Sequence, residues 1–260
     1  MDIQPKIKFL NVSKSFVNNN NKEEIVLENL NFEIYTEEFV CILGPSGSGK
    51  STILGLVAGF IKPTSGEILF NTKKVQRPDS TRTLVFQEYA LFPWLNVLDN
   101  VAFGLTTKNH NNINVKEKAL EYLNLVGLGN YRDHSVNQMS GGMKQRIAMA
   151  RALAVDPEVL LLDEPFGALD QQTREGMQSE LLRLWSKTRK TVFFVTHSVD
   201  ESLKLADRIL VIGGKPGKLL LDTTLAVSRP RNFKDQELVK IRSQILDKLI
   251  TPELFMGSDI

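Results

Sequence analysis

Phe39-Val40-Cys41-Ile42-Leu43-Gly44-Pro45-Ser46-Gly47-Ser48-Gly49-Lys50-Ser51-Thr52 is the stretch that decides the fold. Five apolar residues in a row mark a strand buried on both faces, as in a parallel sheet. Gly44 to Ser51 then fit the pattern G-x-x-x-x-G-K-[ST], and a helical pattern follows from Thr52 to Phe60. Glycines let the backbone N–H groups of such a loop turn inward around phosphate oxygens, where a Cβ would obstruct. The helix behind the loop adds the positive end of its dipole. Lys50 supplies a point charge to the β- and γ-phosphates, and Ser51 offers a hydroxyl to Mg²⁺. A dinucleotide fingerprint is excluded locally, because Thr52 stands where the glycine after Gly47-x-Gly49 would be.

The same buried-strand pattern recurs at Val159 to Leu162, Val192 to Val195 and, after a helical interval, Arg208 to Ile212. Met143, Ile147, Ala150 and Ala154 form a helical stripe, with Lys144, Arg146 and Arg151 pointing elsewhere. Val115, Ala119, Leu123 and Val126 form a second, and Met177, Leu181, Leu184 and Trp185 a third. Ile7 to Leu10 and Leu30 to Ile34 alternate with period two and predict antiparallel strands, separated by a polar loop around Asn18 to Asn21. Strand–helix alternation therefore predicts an α/β fold: a parallel sheet with an antiparallel N-terminal portion packed on it. A short amphipathic helix, Leu238 to Ile250, is expected at the periphery.

Composition narrows the class. The chain has 260 residues, 42% hydrophobic and 24% charged, which suits a folded domain and not a disordered segment. A net charge of +2 gives no surplus for nucleic acid or anionic lipid. The single cysteine, Cys41, cannot close an internal disulfide, and three scattered histidines build no zinc framework. Met1 to Leu10 alternates charged and apolar residues, unlike a signal peptide. The longest apolar stretch, Ile53 to Ile61, has nine residues, against the roughly twenty that span a bilayer. The expectation is an intracellular chain that meets a membrane only through a partner.

Four further features carry chemistry. Val159 to Leu162 ends in Asp163-Glu164, and side chains at the carboxyl end of a parallel strand project into the ligand crevice. Asp163 can reach the Mg²⁺ sphere through water, and Glu164 can orient or deprotonate the water that attacks a γ-phosphate. His197 stands just past a strand, placed to contact the γ-phosphate; Gln87 follows Leu84-Val85-Phe86 and can ligate Mg²⁺ or orient water. Ser140-Gly141-Gly142 opens the helix beginning at Met143 and makes a second backbone anion site. One nucleotide has no need of two such sites on one chain, so this one is read as serving a nucleotide held by another subunit.

In this order the motifs resemble the ATP-binding subunits of ABC transporters over nearly the whole chain. They are a Walker A loop (Gly44 to Ser51), a Q-loop (Gln87), the signature Met139-Ser140-Gly141-Gly142-Met143, a Walker B strand (Leu160 to Glu164), a D-loop (Ala168-Leu169-Asp170) and a switch histidine (His197). The resemblance implies a P-loop NTPase core over 1–228 with a helical signature subdomain at about 88–156, and a peripheral tail over 229–260. It implies ATP and Mg²⁺, with Gly44, Pro45, Ser46, Gly47, Ser48, Gly49, Lys50, Ser51 and Thr52 around the triphosphate and Phe16 stacked on adenine. Glu164, His197, Gln87 and Lys50 would be catalytic, and Ser51, Gln87 and Asp163 would hold the metal. A second copy, arranged head to tail, would present Ser140, Gly141, Gly142 and Met143 to that nucleotide, with Asp170 in the D-loop.

The implied partners are two membrane-spanning permease subunits and, indirectly, an extracytoplasmic solute-binding protein, which places the chain at the cytoplasmic face of the cell membrane. Phe86-Gln87-Glu88, Leu91-Phe92-Pro93-Trp94, Asp163 to Asp170 and Lys215-Pro216-Gly217 resemble the nitrate/sulfonate/taurine importer branch. Tyr89, Leu91, Phe92 and Trp94 make an apolar cluster suited to docking a short helix of a membrane subunit, or to filling a small helical core. The sequence departs from the family at Met139 (usually leucine), Met143 (commonly glutamine), Glu37 (a turn position usually glycine) and Ser202 (commonly alanine). The alternative reading is a non-transport ABC ATPase acting on nucleic acid or ribosomes. Near-neutral charge, and Ser51 and Asp163 only 112 positions apart, speak against it, so no nucleic-acid partner is expected.

Overall fold

The structure, a computed structural model, describes residues 4–18, 21–106 and 114–250. Asn19 and Asn20 of the polar run, and the tail beyond residue 250, lie outside them. The chain runs β1 (Ile7–Val17), β2 (Glu23–Ile34), β3 (Phe39–Leu43), α1 (Lys50–Ala58), β4 (Ser65–Phe70), β5 (Lys73–Lys74) and β6 (Arg82–Val85). Then come α2 (Val97–Thr106), α3 (Val115–Leu125), α4 (Gly141–Ala154), β7 (Val159–Asp163), α5 (Gln171–Thr188), β8 (Thr191–Thr196), α6 (Val199–Leu205), β9 (Arg208–Gly213), β10 (Lys218–Thr224) and α7 (Gln236–Ile250). These elements form two compact units: Ser80–Lys190, and the segments on either side of it.

In the flanking unit, β10, β9, β3 and β8 lie side by side in that order. β3 is parallel to both β8 and β9, as its apolar run requires, and β10 closes the edge antiparallel. A second, antiparallel sheet has the order β2-β1-β4-β5. Phe32 joins the two layers: its ring lies 4.2 Å from Phe9 and 6.4 Å from Phe193 between centroids. β1 and β2 are much longer than the short alternating runs predict, because Asn11 (φ 49°) and Asn29 (φ 49°) sit in left-handed conformations beside shifts of register. Such bulges break the period of two, and asparagine is among the few residues that tolerate the conformation. Gly59, at φ 84°, stops α1 two residues short of the expected Phe60. α7 buries Leu238, Ile241 and Ile245 in a face packed on α6, β9 and β10, which is the expected peripheral helix.

In the other unit β6 and β7 pair in parallel, and α2, α3 and α4 pack on one another. α4 is buried nearly all round instead of along one stripe. Small residues at 148, 150, 152 and 154 admit its neighbours closely, and even Gln145 is fully enclosed. Among the described residues no helix is long and apolar enough to cross a membrane.

Candidate active site

In the flanking unit the cradle opens where β3 ends. Pro45 to Ser48 form a turn (Ser48 N–H to Pro45 O, 3.3 Å), and Gly47 and Gly49 take φ of 80° and 89°. A Cβ on Gly44 would lie 2.1 Å from Ile212 O, whereas one on Gly47 would meet nothing within 4 Å. The loop is thus closed on the β9 side and open at its rim. α1 starts at Lys50 with Gly49 as its cap residue, which offers no side chain to the first turn, and the positive end of the helix dipole faces the loop. Lys50 is buried, and its ammonium donates to Pro45 O at 2.9 Å, inside the loop. Ser48 Oγ is buried with no hydrogen-bond partner. An unpaired buried hydroxyl, a buried cation and a ring of glycines together suit a polyanion.

Leu43 of β3 stands in register with Thr196 of β8, so Gly44 and His197 leave the sheet side by side at the carboxyl ends of two parallel strands. His197 is exposed, and Thr196 and Ser198 fix its stem. Ser198 N–H donates to Thr196 Oγ1 (3.0 Å), Thr196 Oγ1 donates to Glu201 Oε2 (2.6 Å), and Ser198 Oγ caps α6.

In the unit Ser80–Lys190, Val85 of β6 is in register with Leu162 of β7. Asp163, Glu164 and Gln87 therefore leave one sheet edge together. A Cβ on Gly167 would lie 3.4 Å from both Gln87 Nε2 and Glu164 O, which places the glutamine amide on the turn behind Glu164. Glu164 itself has φ 39°, a left-handed conformation that a non-glycine residue holds at a cost of order 1–3 kcal/mol. The turn is held from behind by Arg174, which donates to Phe166 O (3.3 Å) and Leu169 O (2.8 Å).

Ser140 caps α4, accepting from Met143 N–H at 3.4 Å. A Cβ on Gly142 would lie 2.9 Å from Thr173 Cγ2, and one on Gly141 3.1 Å from the Tyr89 hydroxyl. The glycines thus let the start of α4 approach the start of α5. Asp170 caps α5, and the hydrogen bonds from Thr173, foremost its backbone N–H, hold its carboxyl below the usual carboxylate range.

The ABC transporter family pattern matches residues 27–167. A taurine import ATP-binding protein of Roseobacter denitrificans is 45% identical over 210 residues, 80% of this chain and 78% of that protein. The chain belongs to the ABC transporter family. An aliphatic sulfonates import ATP-binding protein of Bacillus thuringiensis is 42% identical over 223 residues, 86% of this chain and 88% of its own. Among solved structures, a dimeric ATP-binding cassette in a post-hydrolysis state, bound to ADP and Pi, superposes with a TM-score of 0.74 at 34% identity. It covers 85% of this chain and 100% of that one. The expected α/β fold and the expected class, a transporter ATPase, are both borne out.

Four residues outside the expected site set support the two strand-end clusters through backbone contacts or backbone conformation. Gly217, in the β9–β10 turn, braces the Walker A loop: a Cβ there would lie 2.2 Å from Ser48 O, while its backbone pairs with Val26 and Glu28. Arg174 clamps the D-loop turn, and Arg151, expected to point away from the apolar stripe of α4, is half-buried against the Q-loop backbone. Glu37 takes φ 64°, a left-handed turn conformation that favours glycine. Its N–H is held by Thr191 Oγ1 at 3.0 Å.

Phe16, the expected adenine stack, is on β1 with 42% of its surface exposed and the Lys14 ammonium 4.7 Å from its ring centroid. Stacking of an aromatic ring on a purine contributes about 0.5–1.5 kcal/mol. Phe16→Ala is expected to raise the KM for ATP roughly 2- to 10-fold with kcat unchanged. Equal KM values in steady-state ATPase assays would remove Phe16 from the site.

Proposed function

We propose that the chain is the ATP-hydrolysing subunit of an importer for a small anion, with alkanesulfonates such as taurine the first candidates and nitrate next. The observation that carries this is the placement of the Walker A loop with His197 at one pair of parallel strand ends and of Gln87 with Asp163 and Glu164 at another. Names of the relatives supply the solute class.

The Walker A amides and the start of α1 bind the β- and γ-phosphates of ATP, Lys50 neutralises them, and Phe16 holds the base. Ser51, Gln87 and, through water, Asp163 are hard oxygen donors that fit Mg²⁺, which keeps several waters and needs few protein ligands. Bound there, the ion would offset charge on the β- and γ-phosphates. Glu164 orients the attacking water and accepts its proton, while His197 donates to the γ-phosphate. Ser140, Gly141, Gly142 and Met143 of a second copy, with the facing D-loop at Asp170, complete the site in a head-to-tail dimer. The fixed donors around the γ-phosphate lower the barrier by electrostatic preorganisation, each worth a factor of roughly 10²–10³. The ATP-binding domain over 1–228 does this chemistry, and the chain sits on the cytoplasmic face of the membrane by docking on two permease subunits fed by a solute-binding protein.

The docking surface is the aromatic cluster after the Q-loop. Trp94 is 75% exposed, and Phe92 lies 5.4 Å from Trp94 and 4.5 Å from Phe103 between ring centroids. A helical core would have enclosed Trp94; a hot spot for a permease helix leaves it out. In proteoliposomes holding the permease pair, Mg·ATP is expected to drive uptake of radiolabelled taurine or alkanesulfonate. Trp94→Ala should cut uptake at least tenfold while the ATPase of the purified chain stays within twofold. Undiminished uptake by that variant would move the docking surface elsewhere, and a purified chain without Mg·ATPase activity would overturn the reading as a whole.

A further inference from the structure

Arg151 lies on α4, three turns beyond the signature. It spends its donors on neighbouring carbonyls of the loop after Gln87: Nη1 to Ala90 O at 2.8 Å and Nη2 to Tyr89 O at 3.1 Å. Its guanidinium carbon also lies 5.4 Å from the Phe92 ring centroid. Successive carbonyls of an extended chain point to opposite sides. Here Ala90 is left-handed (φ 47°), so two of them converge on one planar fork. Partial burial of the guanidinium pulls the Arg151 pKa down.

The next part of the loop belongs to a different helix. Asn100 of α2, fully buried, accepts from Phe92 N–H (2.8 Å) and donates to Phe92 O, Leu95 O and Asn96 O. The loop is therefore hung between two helices, with residues 89–90 fastened to α4 by Arg151 and residues 92–96 to α2 by Asn100. Phe92 has Arg151, Trp94 and Phe103 all as neighbours. The only helix of the pair that carries the Ser140-Gly141-Gly142 anion site is α4.

We infer that Arg151 is the positioning residue that makes the signature helix and the exposed Phe92–Trp94 surface move together. This rests on the proposed function, in which that surface receives the permease. A displacement of the loop pulls α4 through the two carbonyls. By reciprocity, nucleotide-driven engagement of the signature must pull the loop.

Reciprocity allows a test without permease or solute. In chain carrying Trp185→Phe, Trp94 is the remaining tryptophan. Mg·ATP added to the dimer-trapping Glu164→Gln background should change its fluorescence. Arg151→Met should leave ATP affinity and the mass of the ATP-bound species within twofold, yet reduce the Trp94 change to less than about a fifth. Arg151→Lys, which keeps the charge but not the fork, should keep part of it. A full Trp94 response in Arg151→Met, or no response in the parent chain that has bound ATP and dimerised, overturns the inference. Loss of ATP affinity in step with the optical change does the same, since that marks a merely structural role. Failure of the parent chain to bind ATP or dimerise is a failure of the proposed function instead. Amide exchange of residues 89–96 with and without Mg·ATP gives the same comparison without the Trp185 substitution.

Discussion

Replacing Glu164 by glutamine is expected to lower steady-state ATPase activity by at least about 10²-fold, the usual contribution of a positioned general base. In barrier terms this is about 2.7 kcal/mol. Glutamine has the same shape and fits the same left-handed backbone at φ 39°, so the turn to Gly167 and its support by Arg174 persist. What disappears is the capacity to take a proton from water at the carboxyl end of β7. Binding should survive, because the proposed triphosphate site, the glycine loop with Lys50, is not touched by the change. A fluorescent ATP analogue would report a Kd within about threefold of the parent, while phosphate release falls to near background. Turnover at the parent rate would take Glu164 out of the mechanism.

Lys50→Ala should fail in the opposite way. The Lys50 ammonium is enclosed by the loop, 2.9 Å from Pro45 O, and in that setting a charge-assisted bond to phosphate contributes about 1.5–3 kcal/mol. Its loss should weaken ATP binding roughly 10- to 150-fold by titration calorimetry. Arginine should not rescue it, since a planar fork does not fit a pocket built for a point charge. An unchanged Kd for Lys50→Ala would mean that the phosphates lie elsewhere.

The contrast between these variants follows from residues whose roles were legible in order along the chain. An apolar strand, a glycine loop and a helix announce the cradle, and Val159 to Glu164 repeats the logic with carboxylates. Pairing of Val85 with Leu162, and of Leu43 with Thr196, then sets the expected residues at common strand ends within each unit. Other features were hidden for physical reasons. The alternating runs understate β1 and β2 because left-handed Asn11 and Asn29 interrupt their alternation. α2 carries its buried apolar positions, Val97, Val101, Ala102 and Leu105, on too few turns to stand out beside the aromatic loop. β10 is an edge strand whose residues are only partly covered, so Lys218 to Thr224 shows weak patterning. Arg151, Arg174 and Gly217 act on backbone carbonyls or by the absence of a Cβ. Those are long-range relations, and no local spacing encodes them.

Completion of each nucleotide site by a second chain is what everything here depends on, and the mass of the Glu164→Gln chain in Mg·ATP tests it most directly. Light scattering should give about 59 kDa, twice the 29.3 kDa of one chain, returning to the single-chain value when ATP is removed. A species that stays at 29.3 kDa while saturated with nucleotide, together with a parent ATPase whose specific activity does not change on dilution, would contradict it.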